Sequence, residues 1–94
     1  MFMSKRQLTL DDIRKAISET SIYEIGEDVN KMSDEAFAQC YLEDDLGMDS
    51  LDLMELTMQL ERNFDFSIPD DAEERVFKLG TIADLVKEYN KFMA

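Results

Sequence analysis

Apolar residues recur three and four positions apart along most of this chain, and helix breakers are scarce: one proline and three glycines among 94 residues. That spacing puts apolar side chains on one face of a helix and gives a strand no alternation to use. An all-α fold follows as the expectation. The first row begins near Thr9, which can cap a helix, with Asp12 three residues on as the acidic half of a capping-box-like pair. Leu10, Ile13, Ala16, Ile17 and Thr20 then share a face, and Gly26 is expected to end the helix. From Gly26 to Gly47 the pattern is weaker. Ser33 can cap a short helix through Gln39, and Phe37, Tyr41, Leu42 and Leu46 are expected to tuck this connection onto the core.

The next strong helix starts at Asp49-Ser50, with Asp49 as N-cap and Gly47 permitting a sharp turn into it. Leu53, Leu56, Thr57, Leu60 and Phe64 form its core stripe. Phe66-Ser67-Ile68 is too short to pair as a strand. Pro69 suits the first position of another helix, with Asp70, Asp71, Glu73 and Glu74 in its opening turns. A last helix begins at Thr81, paired with Asp84, and buries Ile82, Leu85, Val86 and Tyr89 with Phe92 or Met93. A small helical bundle satisfies all of these rows. The length fits a single domain over 1–94, with 1–8 expected to be a flexible N-terminus.

Composition narrows the function. Asp and Glu number 22 against ten Lys and Arg, a net charge of −12. Such a chain repels nucleic acid and anionic membranes and attracts basic protein surfaces. There is no histidine and one cysteine, Cys40. That removes the commonest general base, internal disulfides and most zinc sites, and argues against an enzyme. The N-terminus is too short and too charged for a signal peptide, and no apolar run is long enough to span a bilayer, so a reducing cytoplasm is the expected compartment. An EF-hand reading of the acidic Asp44–Glu55 stretch fails. Leu46 and Met48 fall on ligand positions, and Asp49 stands where the central glycine is required.

Two features exceed what a core needs. Leu51, Met54 and Met58 form a second apolar row on the Ser50–Phe64 helix, off the core stripe. Around them, seven acids and no base lie between Glu43 and Glu61. An exposed apolar row with an acidic rim is a docking surface, unless the helix is simply buried on two sides. Ser50 is the other feature. A serine at a helix start is common, but free N–H groups and the helix dipole make that position a good seat for a phosphodiester. No neighbouring base would activate Ser50, so it is placed to be modified by another enzyme rather than to catalyse.

The run Leu42-Glu43-Asp44-Asp45-Leu46-Gly47-Met48-Asp49-Ser50-Leu51-Asp52 resembles the attachment-site signature of the acyl carrier protein family, centred on Gly47-x-Asp49-Ser50-Leu51. Glu55-Leu56, Leu60-Glu61, Phe64 and Ile68-Pro69-Asp70 follow in the family's order. The resemblance implies a four-helix bundle of three long helices and a short third one, with room for an extra short helix between the first two long ones. It implies that Ser50 carries 4′-phosphopantetheine from coenzyme A, and that Asp49, Leu51, Asp52, Met54, Glu55, Met58 and Glu61 recognise partners. Leu46, Leu56, Leu60 and Ile68 match positions that line the family's acyl-chain pocket. The implied partners are a phosphopantetheinyl transferase, acyl transferases and ketoacyl synthases with basic docking patches, met by a monomeric carrier. The connections 26–42 and 71–81 are longer than in typical fatty-acid carriers, and Arg62 and Asn63 interrupt an often acidic run, which fits a carrier dedicated to one pathway. An aminoacyl or peptidyl carrier would share the fold and the serine, though those relatives are usually less acidic there.

Overall fold

The structure is a computed structural model that describes residues 7–20 and 23–93. Of the stretch expected to be flexible, 1–6 lies outside the described residues. Leu8 is buried, and its N–H donates to Asn90 Oδ1 at 2.6 Å.

Six helices are present among the described residues: α1 (Leu10–Ser18), α2 (Tyr23–Asn30), α3 (Asp34–Ala38), α4 (Ser50–Phe64), α5 (Asp70–Leu79) and α6 (Ile82–Asn90). The sequence-derived caps hold α1, α3, α4 and α6. Thr9 and Asp12 form a reciprocal capping box, as do Asp49 and Asp52. Ser33 accepts from the Ala36 N–H and Thr81 from that of Asp84. Each satisfies a donor that a helix start otherwise leaves open.

Three local expectations are corrected. Tyr41, expected to tuck onto the core, is 50% exposed. The first helix does not run on to Gly26. Ser18 Oγ donates to the Lys15 carbonyl at 2.6 Å and Thr20 Oγ1 to that of Ile17 at 2.8 Å, so hydroxyls compete for the acceptors that would continue the helix. Gly26 therefore terminates nothing. It lies inside α2, where a Cβ would meet Ser18 Cα at 3.6 Å. Pro69 is the N-cap of α5 rather than its first residue, and its carbonyl accepts from Ala72 and Glu73. The expected extra short helix is α3; α2 is additional to it.

Arg14 holds this longer connection against α1. Its guanidinium donates to the Val29 and Met32 carbonyls at 3.2 and 3.1 Å, and to Asp11 and Asp34 at 2.7 Å each. It also lies 4.8 Å from the centre of the Phe37 ring. The remaining helices bury one stripe each. Leu53, Leu56, Thr57 and Leu60 of α4 meet Ile82, Leu85 and Tyr89 of α6 in the common core with Ile13, Ile17, Val29, Phe37 and Leu42. The one polar contact at its centre is satisfied, since the Thr57 and Tyr89 hydroxyls lie 2.7 Å apart. Desolvation raises the Tyr89 pKa well above its usual value, so that hydroxyl stays neutral. Glu88 accepts from Arg75 at 3.0 Å and ties α6 to α5.

Candidate functional site

The approach to α4 fixes where Ser50 points. Tyr41 forms an antiparallel bridge with Thr81, Leu42 N–H donates to the Gly80 carbonyl, and Ile82 N–H donates to that of Cys40. This anchors the segment before Ser50 to the α5–α6 junction. Leu42, Leu46 and Met48 are buried beneath it. Gly47 then turns the chain with φ +68°, a left-handed conformation that side-chain-bearing residues seldom adopt. The turn delivers Asp49 as N-cap and Ser50 as the first residue of α4.

Ser50 is exposed, and among the described residues its hydroxyl has no hydrogen-bond partner. The capping box occupies the Asp52 N–H, which leaves the Ser50 and Leu51 N–H groups without acceptors inside the helix. No histidine exists in the chain to take a proton from Ser50, and Arg62, the only basic residue of α4, lies in its last turn. The hydroxyl is thus exposed, with no basic side chain near it in sequence. The positive end of α4 and the two open N–H groups favour a phosphate there, offsetting the Asp49 and Asp52 carboxylates.

Beside Ser50, α4 and α5 part to form a cleft of about 290 Å3. Leu53, Met54 and Phe77 supply its apolar wall, and Asp70, Glu73 and Glu74 supply carboxylates. A wider polar hollow of about 500 Å3 lies between α1 and the end of α4, lined by Asp12, Lys15, Asn63, Phe64 and Asp65. It is about 20 Å from Ser50 along the helix axis, because each residue of α4 adds 1.5 Å.

The second apolar row is exposed: Leu51 by 68%, Met54 by 46% and Met58 by 51%. The acids around it are not equivalent. Asp49 and Asp52 cap each other's backbone, and Glu61 Oε2 accepts from the Ile68 N–H at 2.7 Å, fixing the α4–α5 link. Leu46, Leu56, Leu60 and Ile68 lie together in the closed core, each 8% exposed or less, and none of them lines the cleft beside Ser50. Phe77 is the cleft residue that the sequence did not single out. Its helical spacing from Glu73 and Asp70 placed it on their face, but nothing local showed which face α5 would turn toward Ser50.

Residues 42–88 match the model of the phosphopantetheine attachment site family. An acyl carrier protein of Exiguobacterium sp. is 39% identical over 84 residues, covering 89% of this chain and 91% of the relative. Another, of Campylobacter lari, is 36% identical over 81 residues, covering 86% and 95%. Among solved structures, the 3,5-dioxohexyl acyl carrier protein of the actinorhodin polyketide synthase from Streptomyces coelicolor superposes with a TM-score of 0.66 at 32% identity, over 96% of this chain and 95% of that one. Its butyryl form gives 0.63 at the same identity, over 94% and 93%.

The chain belongs to the acyl carrier protein family. Its prosthetic group is 4′-phosphopantetheine, and the residues present fit that group. An unpartnered hydroxyl at a helix N-terminus suits a phosphodiester. Among the described residues no helix is long and apolar enough to cross a membrane.

Proposed function

We propose that this chain carries acyl intermediates as thioesters on a phosphopantetheine arm joined to Ser50 Oγ, and delivers them to enzymes of fatty-acid, polyketide or related lipid biosynthesis. The observation that carries the reading is the exposed, unpartnered Ser50 hydroxyl at the start of α4, beside an apolar cleft. In the attachment step Ser50 Oγ bonds to the phosphorus that bears pantetheine in coenzyme A. The pyrophosphate bond breaks, adenosine 3′,5′-bisphosphate leaves, and the serine proton passes to a base of the transferase. With the arm in place its thiol would hold the acyl group as a thioester, and the enzymes that load and unload it would supply the catalytic groups.

Partners would meet the exposed row Leu51, Met54 and Met58. Asp49, Asp52, Glu55 and Glu61 would steer the carrier toward a basic patch beside the partner's active site. Methionines suit a surface that must fit several partners, because their unbranched side chains repack readily. The contact should be small and brief, as delivery requires release. A phosphopantetheinyl transferase would be the first partner, with acyl transferases and ketoacyl synthases after it. A chain longer than the cleft beside Ser50 would reach the Leu46, Leu56, Leu60 and Ile68 cluster only by parting it, so its excess length would stay in water. The single monomeric domain would work in the cytoplasm, where coenzyme A and the synthases meet it.

Incubation with coenzyme A, magnesium and a phosphopantetheinyl transferase should add the mass of one phosphopantetheinyl group. Acyl-coenzyme A as donor should add the acylated arm. A chain that gains no mass under conditions that load a fatty-acid carrier would overturn the reading.

A further inference from the structure

Two clefts meet at one side chain. Phe77 lines the cleft beside Ser50 and also a second cleft of about 210 Å3, whose other walls are Tyr41, Glu43, Asp44, Lys78 and Gly80. The far wall of the second cleft is anchored through its backbone. Tyr41 is bridged to Thr81, and its ring lies so close to Gly80 that a Cβ there would come within 3.0 Å of Tyr41 Cδ2. Phe77 is different: it is half-buried and packs on the edge of the core. No polar bond holds its ring.

We infer that Phe77 is the partition that sets how long an acyl chain the Ser50 cleft shelters, with the Tyr41 cleft as the space a smaller residue at position 77 would open. The inference rests on the reading of Ser50 as the attachment point. The walls also choose the class of cargo. Leu53, Met54 and Phe77 offer apolar contact, Asp70, Glu73 and Glu74 offer only negative charge, and no cation lines the first cleft. A chain ending in a methyl group gains by entering. A chain ending in a carboxylate meets like charges at reduced hydration and stays in water.

The test loads the full chain with saturated acyl groups of increasing length, using acyl-coenzyme A thioesters and a phosphopantetheinyl transferase, and measures cleavage of each thioester by hydroxylamine. Each methylene withdrawn from water should change the ratio of sheltered to exposed thioester by about fourfold. In the native chain, protection should rise with length and then level off once the cleft is full. Phe77→Ala should move the levelling-off to longer chains, and Phe77→Leu should move it part of the way. Acyl groups ending in a carboxylate should stay unprotected in the native chain, where the cleft beside Ser50 has no cation on its walls. If Phe77→Ala fails to fold, by the melting temperature of the unloaded protein, Phe77→Leu gives the same comparison. Levelling-off at an unchanged length in the variant that folds overturns the inference, as does protection in the native chain that ignores length. Failure of the serine to load at all is a different result, and it overturns the proposed function with the inference.

Discussion

Met54 and Leu60 lie six residues apart on α4, and their truncation should separate a docking surface from a core. Leu60 is fully buried, so Leu60→Ala removes transfer free energy and leaves a cavity. The cost is about 3–5 kcal/mol. In a domain of this size that lowers the melting temperature by roughly 10–40 °C. Met54 is already 46% exposed and lines an open cleft, so its truncation encloses no void. About half of its burial term is in play, which limits the loss to about 1 kcal/mol. The assay is thermal unfolding of both variants beside their rates of loading by a phosphopantetheinyl transferase, at low and high salt. Met54→Ala should melt within about 8 °C of the native chain yet load more slowly, and the defect should persist in high salt because an apolar contact is not screened. If Met54→Ala melts as early as Leu60→Ala, the second apolar row is core and the docking assignment is wrong.

Further predictions come from side chains whose roles the structure exposes. Arg14→Ala should destabilise by about 2–4 kcal/mol, since it deletes charged hydrogen bonds and a cation–π contact from a side chain only 12% exposed. Amide exchange should speed up most in α2 and α3, and Arg14→Lys should not restore it, because an ammonium lacks the guanidinium fork. Glu61→Lys should cost about 1–3 kcal/mol by leaving the Ile68 N–H unpaired, whereas Glu61→Gln should keep that bond and lose only charge. Equal melting temperatures for these two variants would rule out the linking role. Hydrogen bonds from Arg75, then from Lys91, hold the Glu88 carboxyl below its usual range. The folded state therefore binds fewer protons than the unfolded state. Glu88 stabilises above the usual carboxylate pKa, and that contribution is lost as pH falls through its lowered value. Glu88→Gln should flatten the acid limb of the melting-temperature profile; an unchanged limb would contradict the assignment.

The helix starts were legible because their signals are local. Thr9 with Asp12, Ser33, Asp49 and Thr81 each carry the cap within three or four residues of sequence, and each is found in place. The two rows of α4 were legible for a related reason: one helix with two apolar stripes in a small bundle cannot bury both. Residues acting across large separations were less visible. Arg14 reaches Val29 and Asp34, a pairing that no helical period encodes. α2 was missed because its sequence, Tyr23 to Asn30, has Gly26 at its centre, a residue that weakens a helix by about 1 kcal/mol without forbidding it. Glu61 read as a surface acid, since its bond to Ile68 depends on how the chain returns after α4. Phe77 became visible as a cleft residue, and Leu53 as more than core, only once α4 and α5 were placed side by side.

Attachment of the arm at Ser50 can be located by peptide mapping of the loaded chain. After incubation with coenzyme A and a phosphopantetheinyl transferase, the added mass should reside on the peptide containing Ser50 and fragment to that residue. Ser50→Ala should gain no mass while melting within about 0.5 kcal/mol of the native chain, because the hydroxyl makes no hydrogen bond that its loss could break. Mass found on any other residue, or a Ser50→Ala protein that still loads, would contradict the account.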